Sequence, residues 1–154
     1  MDFDKLLELL RALKRYDVAY VLVGGVALNF HGLLRGAEDV DLFLHPTAEN
    51  IERLKTALQS VWADPDIEQI LSEDLMGDYP AIRYVPPSGP PIDLLCRLRT
   101  EFEYGDLEAQ NGELEGAPVR VATPRTLYQM KRDTVRHVDK ADAEFLRKKF
   151  GMEE

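Results

Sequence analysis

The sequence predicts an α/β or α+β domain in which helices pack on a mixed β-sheet. Apolar residues at helical spacing alternate along the chain with short runs rich in β-branched and aromatic residues. An adjacent glycine pair, Gly24-Gly25, follows one of these runs and precedes a short helical pattern. Two aspartates, Asp39 and Asp41, stand at the head of the next run. The sequence thus places polar groups at the ends of strands that are otherwise apolar enough to be buried.

The first half of the chain contains helical and strand patterns in alternation. Leucines at helical spacing predict an amphipathic first helix, and the β-rich runs predict buried strands. Thr47 is expected to cap the third helix. The predicted elements are a helix over 2–15, a strand over 18–23, a short helix over 26–30, a strand over 39–44, a helix over 48–60, and an ambiguous segment over 62–79.

The second half predicts further strands and then two helices. The sequence PPSGPP interrupts two apolar runs and predicts a turn between strands. Thr123-Pro124 predicts a helix start with proline at the first position, and Asp139 is expected to cap the last helix. The predicted elements are strands over 81–85, 92–95, 107–114 and 118–121, and helices from 124 onward and from 139 to about 150. We expect one domain over 1–154, with a core of about 16–122 and C-terminal helices of about 124–150.

Composition and charge limit the classes of function. The chain has 154 residues and a net charge of −9, which argues against a broad surface for nucleic acid. Between Arg125 and Lys149, however, eight Lys/Arg and four Asp/Glu give +4, which leaves −13 for the remainder. This basic tail is compatible with an anionic ligand and equally with a solvated helix face.

The N-terminus and the cysteine content indicate the compartment. The segment MDFDKLLELL carries acids where a signal peptide would be basic, and no apolar run reaches the length of a membrane span. The single cysteine, Cys96, excludes an internal disulfide and a cysteine zinc site. We expect a cytoplasmic protein with Cys96 packed in its core.

Three aspartates are candidate metal ligands. In a strand, Asp39 and Asp41 point to the same face, where two close carboxylates repel each other unless a proton or a cation intervenes. Asp93, in the apolar segment PIDLLCRL, would complete the group if its strand neighbours theirs, although a turn residue is the simpler interpretation of Asp93 alone. Hard oxygen ligands favour Mg²⁺ or Mn²⁺, and three carboxylates suit a two-metal site.

The Gly24-Gly25 turn is a candidate phosphate site. Backbone N–H groups at a helix start are free and partly positive, and glycine allows close approach. Such a turn is weakly specific alone and becomes informative when Asp-x-Asp follows. A P-loop, a dinucleotide fingerprint and a Ser–His–Asp pattern are absent from the sequence.

These motifs resemble the nucleotidyltransferase superfamily that shares the DNA polymerase β palm. The pattern is an apolar residue, two small residues, a spacer, and then Asp-apolar-Asp-apolar. Here it is Val23-Gly24-Gly25, thirteen residues, and Asp39-Val40-Asp41-Leu42, with Asp93 in IDLL as the third acid. GGVALNFHG followed by RGAEDVDLF looks most like abortive-infection (AbiEii-like) nucleotidyltransferase toxins. Ala37 stands where that group usually has threonine.

The resemblance implies transfer of a nucleoside monophosphate from a nucleoside triphosphate to an acceptor, with Mg²⁺ or Mn²⁺ on Asp39, Asp41 and Asp93. Asp93 would also activate the acceptor oxygen. The acceptor stays open: the basic tail fits tRNA, in a toxin–antitoxin setting with a cognate antitoxin as partner, and the acidic remainder fits a small cationic molecule such as an aminoglycoside-like antibiotic, or a protein hydroxyl. The alternative to an enzyme is a non-catalytic relative that binds a nucleotide or a partner protein, such as a toxin.

Lys131 is a further candidate for catalysis and nucleotide binding. It lies in the centre of the apolar stripe predicted for the helix after Pro124, and Asp142 shares an inward face with apolar residues of the next helix. Either a buried Lys131–Asp142 ion pair ties the helices together, or Lys131 contacts the triphosphate and Asp142 orients it. The toxin group also has a lysine and a later aspartate here. Arg35 is expected to contact phosphate or neutralise the acids, His31 to pack or cap, and Arg83 to be an edge charge.

Overall fold

A computed structural model describes residues 1–34, 36–77, 81–98, 102–132 and 137–152, with side chains for all of these except 137 and 138. Within these ranges the elements follow the predicted order: helices and strands alternate up to the third helix, several strands follow, and two helices come last. The helices are α1 (Phe3–Arg15), α2 (Gly24–Phe30), α3 (Ala48–Trp62), α4 (Ser72–Met76), α5 (Pro124–Lys131) and α6 (His137–Phe150). The strands are β1 (Tyr20–Val23), β2 (Val40–Leu44), β3 (Ala81–Tyr84), β4 (Ile92–Leu95), β5 (Arg97–Leu98), β6 (Phe102–Glu103), β7 (Ala109–Leu114) and β8 (Ala117–Ala122).

Side-chain caps start the helices where the sequence predicts them. Thr47 accepts a hydrogen bond from the backbone N–H of Asn50 at 3.1 Å, and Thr123 accepts one from Thr126 at 3.3 Å. Both contacts satisfy N–H groups that have no partner inside the helix. The predicted starts of α3 and α5 are therefore confirmed.

The six-stranded sheet is mixed, in the order β3-β4-β2-β1-β8-β7. Strand β2 is antiparallel to β1 and parallel to β4, and β8 is parallel to β1. Strands β5 and β6 form a separate two-stranded sheet that the sequence did not predict. The predicted class, a mixed sheet flanked by helices with a C-terminal helical pair, is confirmed.

The strand register aligns four residues across the sheet. Val23 is opposite Asp41, Asp41 is beside Asp93, and Asp93 is opposite Arg83. Because directly opposed residues of neighbouring strands point to the same face, the three polar side chains share one face at one end of the sheet.

The intervening residues form the core on the other face. Val40, Leu42, Ile92 and Leu94 are each 0% exposed, so the alternation of the strands separates a polar end from an apolar layer. Cys96 is buried as predicted, and burial raises the pKa of its thiol to about 11. No helix in the described ranges has the length and apolar character needed to cross a membrane.

The C-terminal helices differ from the prediction in their boundaries. Helix α5 ends at Lys131, and Val135 of the predicted stripe lies outside the described residues. Helix α6 begins at His137, so Asp139 lies within its first turn instead of capping it. The carboxylate of Asp139 is instead paired with Lys131 at 3.0 Å, which places it toward α5.

Candidate active site

Asp41 and Asp93 form the centre of the polar end of the sheet. Their strands are parallel and in register, which sets the two carboxyl groups side by side. Burial, followed by the charge of Asp93, a hydrogen bond with Asp93 and the charge of Asp39, raises the pKa of Asp41 to about 7. Crowding of like charges in a partly buried place therefore makes one carboxyl group retain its proton to near neutral pH.

Gly24 provides the room that Asp41 occupies. Gly24 has φ +73°, which places it in the left-handed region. A Cβ there would collide with Oδ2 of Asp41 and stand 2.8 Å from its Cγ. Glycine is required at this position both for the backbone angle and for the close approach of the carboxyl group. The glycine turn and Asp41, the second acid of the motif, are thus in direct contact.

Arg83 bridges Asp39 and Asp93. Its Nη2 donates to Oδ1 of Asp39 at 3.0 Å and its Nη1 to Oδ2 of Asp39 at 3.3 Å. The same Nη1 is 3.2 Å from each carboxylate oxygen of Asp93. The side chains are 50%, 35% and 26% exposed for Arg83, Asp39 and Asp93, so this network lies at the solvent-facing rim. Arg83 is an edge charge, as expected, since β3 is an outer strand of the sheet; in addition, its guanidinium contacts the two carboxylates.

The chemistry of the three aspartates fits a divalent cation, although their present arrangement is not that of a metal site. In the described part of the chain, no group of three or more His, Cys, Asp and Glu side chains is arranged to hold a metal ion. Arg83 supplies positive charge between Asp39 and Asp93, in the role that a cation would take. The donors are hard oxygens, as Mg²⁺ and Mn²⁺ prefer, and Gly24 forms a cradle for one of them.

Lys131 lies between the two C-terminal helices. Its Nζ is 3.0 Å from Oδ1 of Asp139 and 3.1 Å from Oδ2 of Asp142. The three side chains are 13%, 10% and 3% exposed, so the predicted Lys131–Asp142 pair exists and includes a second acid. The positive charge of Lys131 opposes, as a smaller contribution, the rise in the pKa of Asp41.

The other predicted residues are placed as follows. Gly25 lies in the first turn of α2, and Arg35 lies outside the described residues. His31 follows α2, and its Nε2 is 2.8 Å from the carbonyl oxygen of Ala122. Burial, with an opposing contribution from that hydrogen bond and a further lowering by Lys149, lowers the pKa of His31. His31 therefore packs, as expected, and links the end of α2 to the end of β8.

Sequence reasoning missed the placement of Arg83 and Asp139. The signal for Arg83 was present, because counting outward from the PPSGPP turn in antiparallel register pairs residue 83 with residue 93. The signal for Asp139 was its spacing of three residues before Asp142, which puts both on one helical face.

Comparison with known proteins adds a fold likeness and no family. No family model matches the chain, and no curated protein matches it significantly. A solved structure, ANT(2″)-Ia in complex with adenylyl-2″-tobramycin, superposes with a TM-score of 0.59 and 15% sequence identity. The match covers 95% of this chain and 87% of that chain. Together with the described topology, it shows that this chain has a nucleotidyltransferase fold.

Proposed function

We propose that the protein is a metal-dependent nucleotidyltransferase that moves a nucleoside monophosphate from a nucleoside triphosphate to an acceptor hydroxyl or phosphate. The observation that carries this proposal is the juxtaposition of Asp41 with Asp93 and with Gly24 on this fold. Like charges held close together in a partly buried place are costly, so a chain that brings acids together at the end of a strand favours a functional explanation.

The proposed reaction joins an acceptor oxygen to the α-phosphorus and breaks the bond to the bridging oxygen, so that pyrophosphate leaves. Asp39, Asp41 and Asp93 would hold the divalent cation, which supplies charge neutralisation for the triphosphate when it is bound. Asp93 would accept the proton of the acceptor hydroxyl. Catalysis would then depend mainly on positioning and electrostatics.

We assign binding of the triphosphate to the Gly24-Gly25 turn, Lys131 and Arg35. The turn lies against Asp41, so phosphate bound to its N–H groups would be beside the acids. Lys131 already contacts two carboxylates, so its proposed role is to provide a fixed positive charge near the site. The contribution of Arg35 rests on the sequence alone, because Arg35 lies outside the described residues.

A cationic hydroxyl compound is the acceptor class that the observations favour. The chain carries a net charge of −9, and several cations of its basic tail are engaged within the protein. Lys131 pairs with two aspartates, Arg147 and Lys148 with Glu144, and Lys149 with the carbonyl of His31. The likeness to a structure holding an adenylylated aminoglycoside points in the same direction. The alternative acceptor tRNA, with a toxin–antitoxin setting, stays a prediction.

Nucleotide binding with and without metal tests the proposal. We expect Mg²⁺ or Mn²⁺ to tighten triphosphate binding in calorimetry, because the acids alone repel phosphate. The variant Asp39→Asn/Asp41→Asn should lose this metal dependence, and the control Asp17→Asn/Asp66→Asn, which removes two exposed acids, should keep it. Equal binding in metal and in chelator would contradict the proposal.

The acceptor is tested by transfer. Labelled triphosphates are incubated with an aminoglycoside panel, with tRNA and with protein, and the label is followed into each. Transfer to the aminoglycosides alone would support the favoured class, and transfer to tRNA alone would overturn it in favour of the toxin setting.

A further inference from the structure

The guanidinium of Arg83 is hydrogen-bonded to the carboxylate oxygens that a divalent cation would need as ligands. Its two terminal nitrogens contact both oxygens of Asp39 and both oxygens of Asp93, at 3.0 to 3.3 Å. A divalent cation bound by these two residues would require lone pairs on the same oxygens. The guanidinium would also repel the cation. The guanidinium of Arg83 and a divalent cation cannot therefore both be fully bound to Asp39 and Asp93 at the same time.

The position of Arg83 makes this contact reversible. It lies on β3, at the edge of the six-stranded sheet, and half of its side chain is exposed. Ion pairs that face solvent contribute little net stability, so an arriving cation can replace them. An arginine guanidinium keeps its positive charge over the whole working pH range, so Arg83 competes with a cation at any such pH.

We propose that Arg83 is a built-in counter-ion of the carboxylate site, which neutralises Asp39 and Asp93 in the free protein and must move away before a divalent cation binds. This inference rests on the proposed function, since it assumes that the acids bind metal. Its consequence is that the free protein has a lower affinity for metal than its carboxylates alone would give. An arginine on a strand edge, opposite the third acid, thus sets the metal concentration at which the site is loaded.

Titration of the nucleotide-free protein with Mn²⁺ tests the inference. The wild-type protein, Arg83→Gln, Arg83→Lys and the control Arg120→Gln are compared by calorimetry. Arg120 contacts Asn111 on another part of the sheet, so its replacement removes one positive charge without touching the acids. We expect Arg83→Gln to bind Mn²⁺ about tenfold more tightly than the wild type does. Arg83→Lys should have an intermediate affinity, because lysine lacks the planar guanidinium that contacts both carboxylates. Arg120→Gln should bind Mn²⁺ as the wild type does.

Thermal unfolding gives a second measurement. In chelator, Arg83→Gln should melt at a lower temperature than Arg120→Gln, because the close carboxylates lose the guanidinium that neutralises them. Added Mn²⁺ should raise the melting temperature of Arg83→Gln by more than it raises that of the wild type. Equal or weaker Mn²⁺ binding by Arg83→Gln, with metal-dependent triphosphate binding intact, would overturn this inference and leave the proposed function standing. Absence of Mn²⁺ binding in every nucleotide-free protein, including Arg83→Gln, would also overturn this inference, whereas the proposed function falls only if triphosphate binding is the same in metal and in chelator.

Discussion

Gly24 and Asp41 are packed so closely that no side chain can be added to the glycine. A Cβ at Gly24 would stand 2.8 Å from Cγ of Asp41 and nearer still to Oδ2. The two residues are 17 positions apart and belong to different elements, α2 and the N-terminal end of β2. The glycine turn and the acidic motif are therefore one structural unit, in which a change at either residue displaces the other.

The first prediction concerns Gly24→Ala. The matched control is Gly116→Ala, because Gly116 also has positive φ, at +83°, and a Cβ there meets nothing within 4 Å. Gly116→Ala should lower the free energy of unfolding by about 1–2 kcal/mol through backbone strain alone. Gly24→Ala should cost more and should also weaken Mn²⁺ binding, because Asp41 must shift. Chemical denaturation and calorimetry measure both effects, and equal stability losses with unchanged Mn²⁺ binding would show that the contact is unimportant.

The second prediction concerns the charge of Asp41. Its pKa is raised from 3.8 to about 7 in the folded protein. Between pH of about 4 and about 7, Asp41 is therefore protonated in the folded state and ionised in the unfolded state. Stability that comes from this proton is lost as pH rises from about 4 to about 7. Without metal, Asp41→Asn should therefore change the free energy of unfolding more favourably at pH 8 than at pH 5. The difference between the two changes should be on the order of 1–3 kcal/mol. The surface variant Asp17→Asn provides the background, and a larger gain at pH 5 would refute the prediction.

The third prediction concerns Lys131. Replacing it by methionine removes the ammonium that Asp139 and Asp142 both contact, and the loss of one partner of a buried pair costs about 3 kcal/mol or more. The exposed lysine variant Lys140→Met should change stability by less than about 0.5 kcal/mol. In Lys131→Met/Asp139→Asn/Asp142→Asn much of the stability should return while triphosphate binding stays weak. Normal triphosphate binding by that triple variant would assign Lys131 a structural role only.

The fourth prediction concerns His31 and Lys149. The Nζ of Lys149 donates to the carbonyl oxygen of His31 at 2.6 Å, and its charge contributes to lowering the pKa of His31. Lys149→Met should raise the pKa of His31 toward its ordinary value, as followed by NMR titration of the imidazole. Burial, which is the larger cause of the shift, should keep that pKa below about 6.5. Lys148→Met serves as the neighbouring control, and an equal response of the two variants would disprove the contact's role.

Most of the fold could be predicted because its signals are local. The caps Thr47 and Thr123, the leucine spacing of α1 and the apolar runs of β1 and β2 each act over a few residues. The two-stranded sheet of β5 and β6 was missed because strands of two residues are too short to show alternation. The start of α6 was misplaced because Asp139, a residue type favoured at caps, is held by a partner from another helix, whereas the end of α6 at Phe150 was predicted correctly.

The sequence by itself determined the strands of the six-stranded sheet, the acids and the glycine turn, since each depends on residue type and on spacing along the chain. It did not determine that Asp41 lies against Gly24, that Arg83 lies between Asp39 and Asp93, or that Lys131 meets Asp139 as well as Asp142. These contacts depend on which strands become neighbours and in what register. That choice is made by burial of the apolar layer formed by Val40, Leu42, Ile92 and Leu94, because a shift of one residue would turn this layer toward solvent and move the acids to the other face.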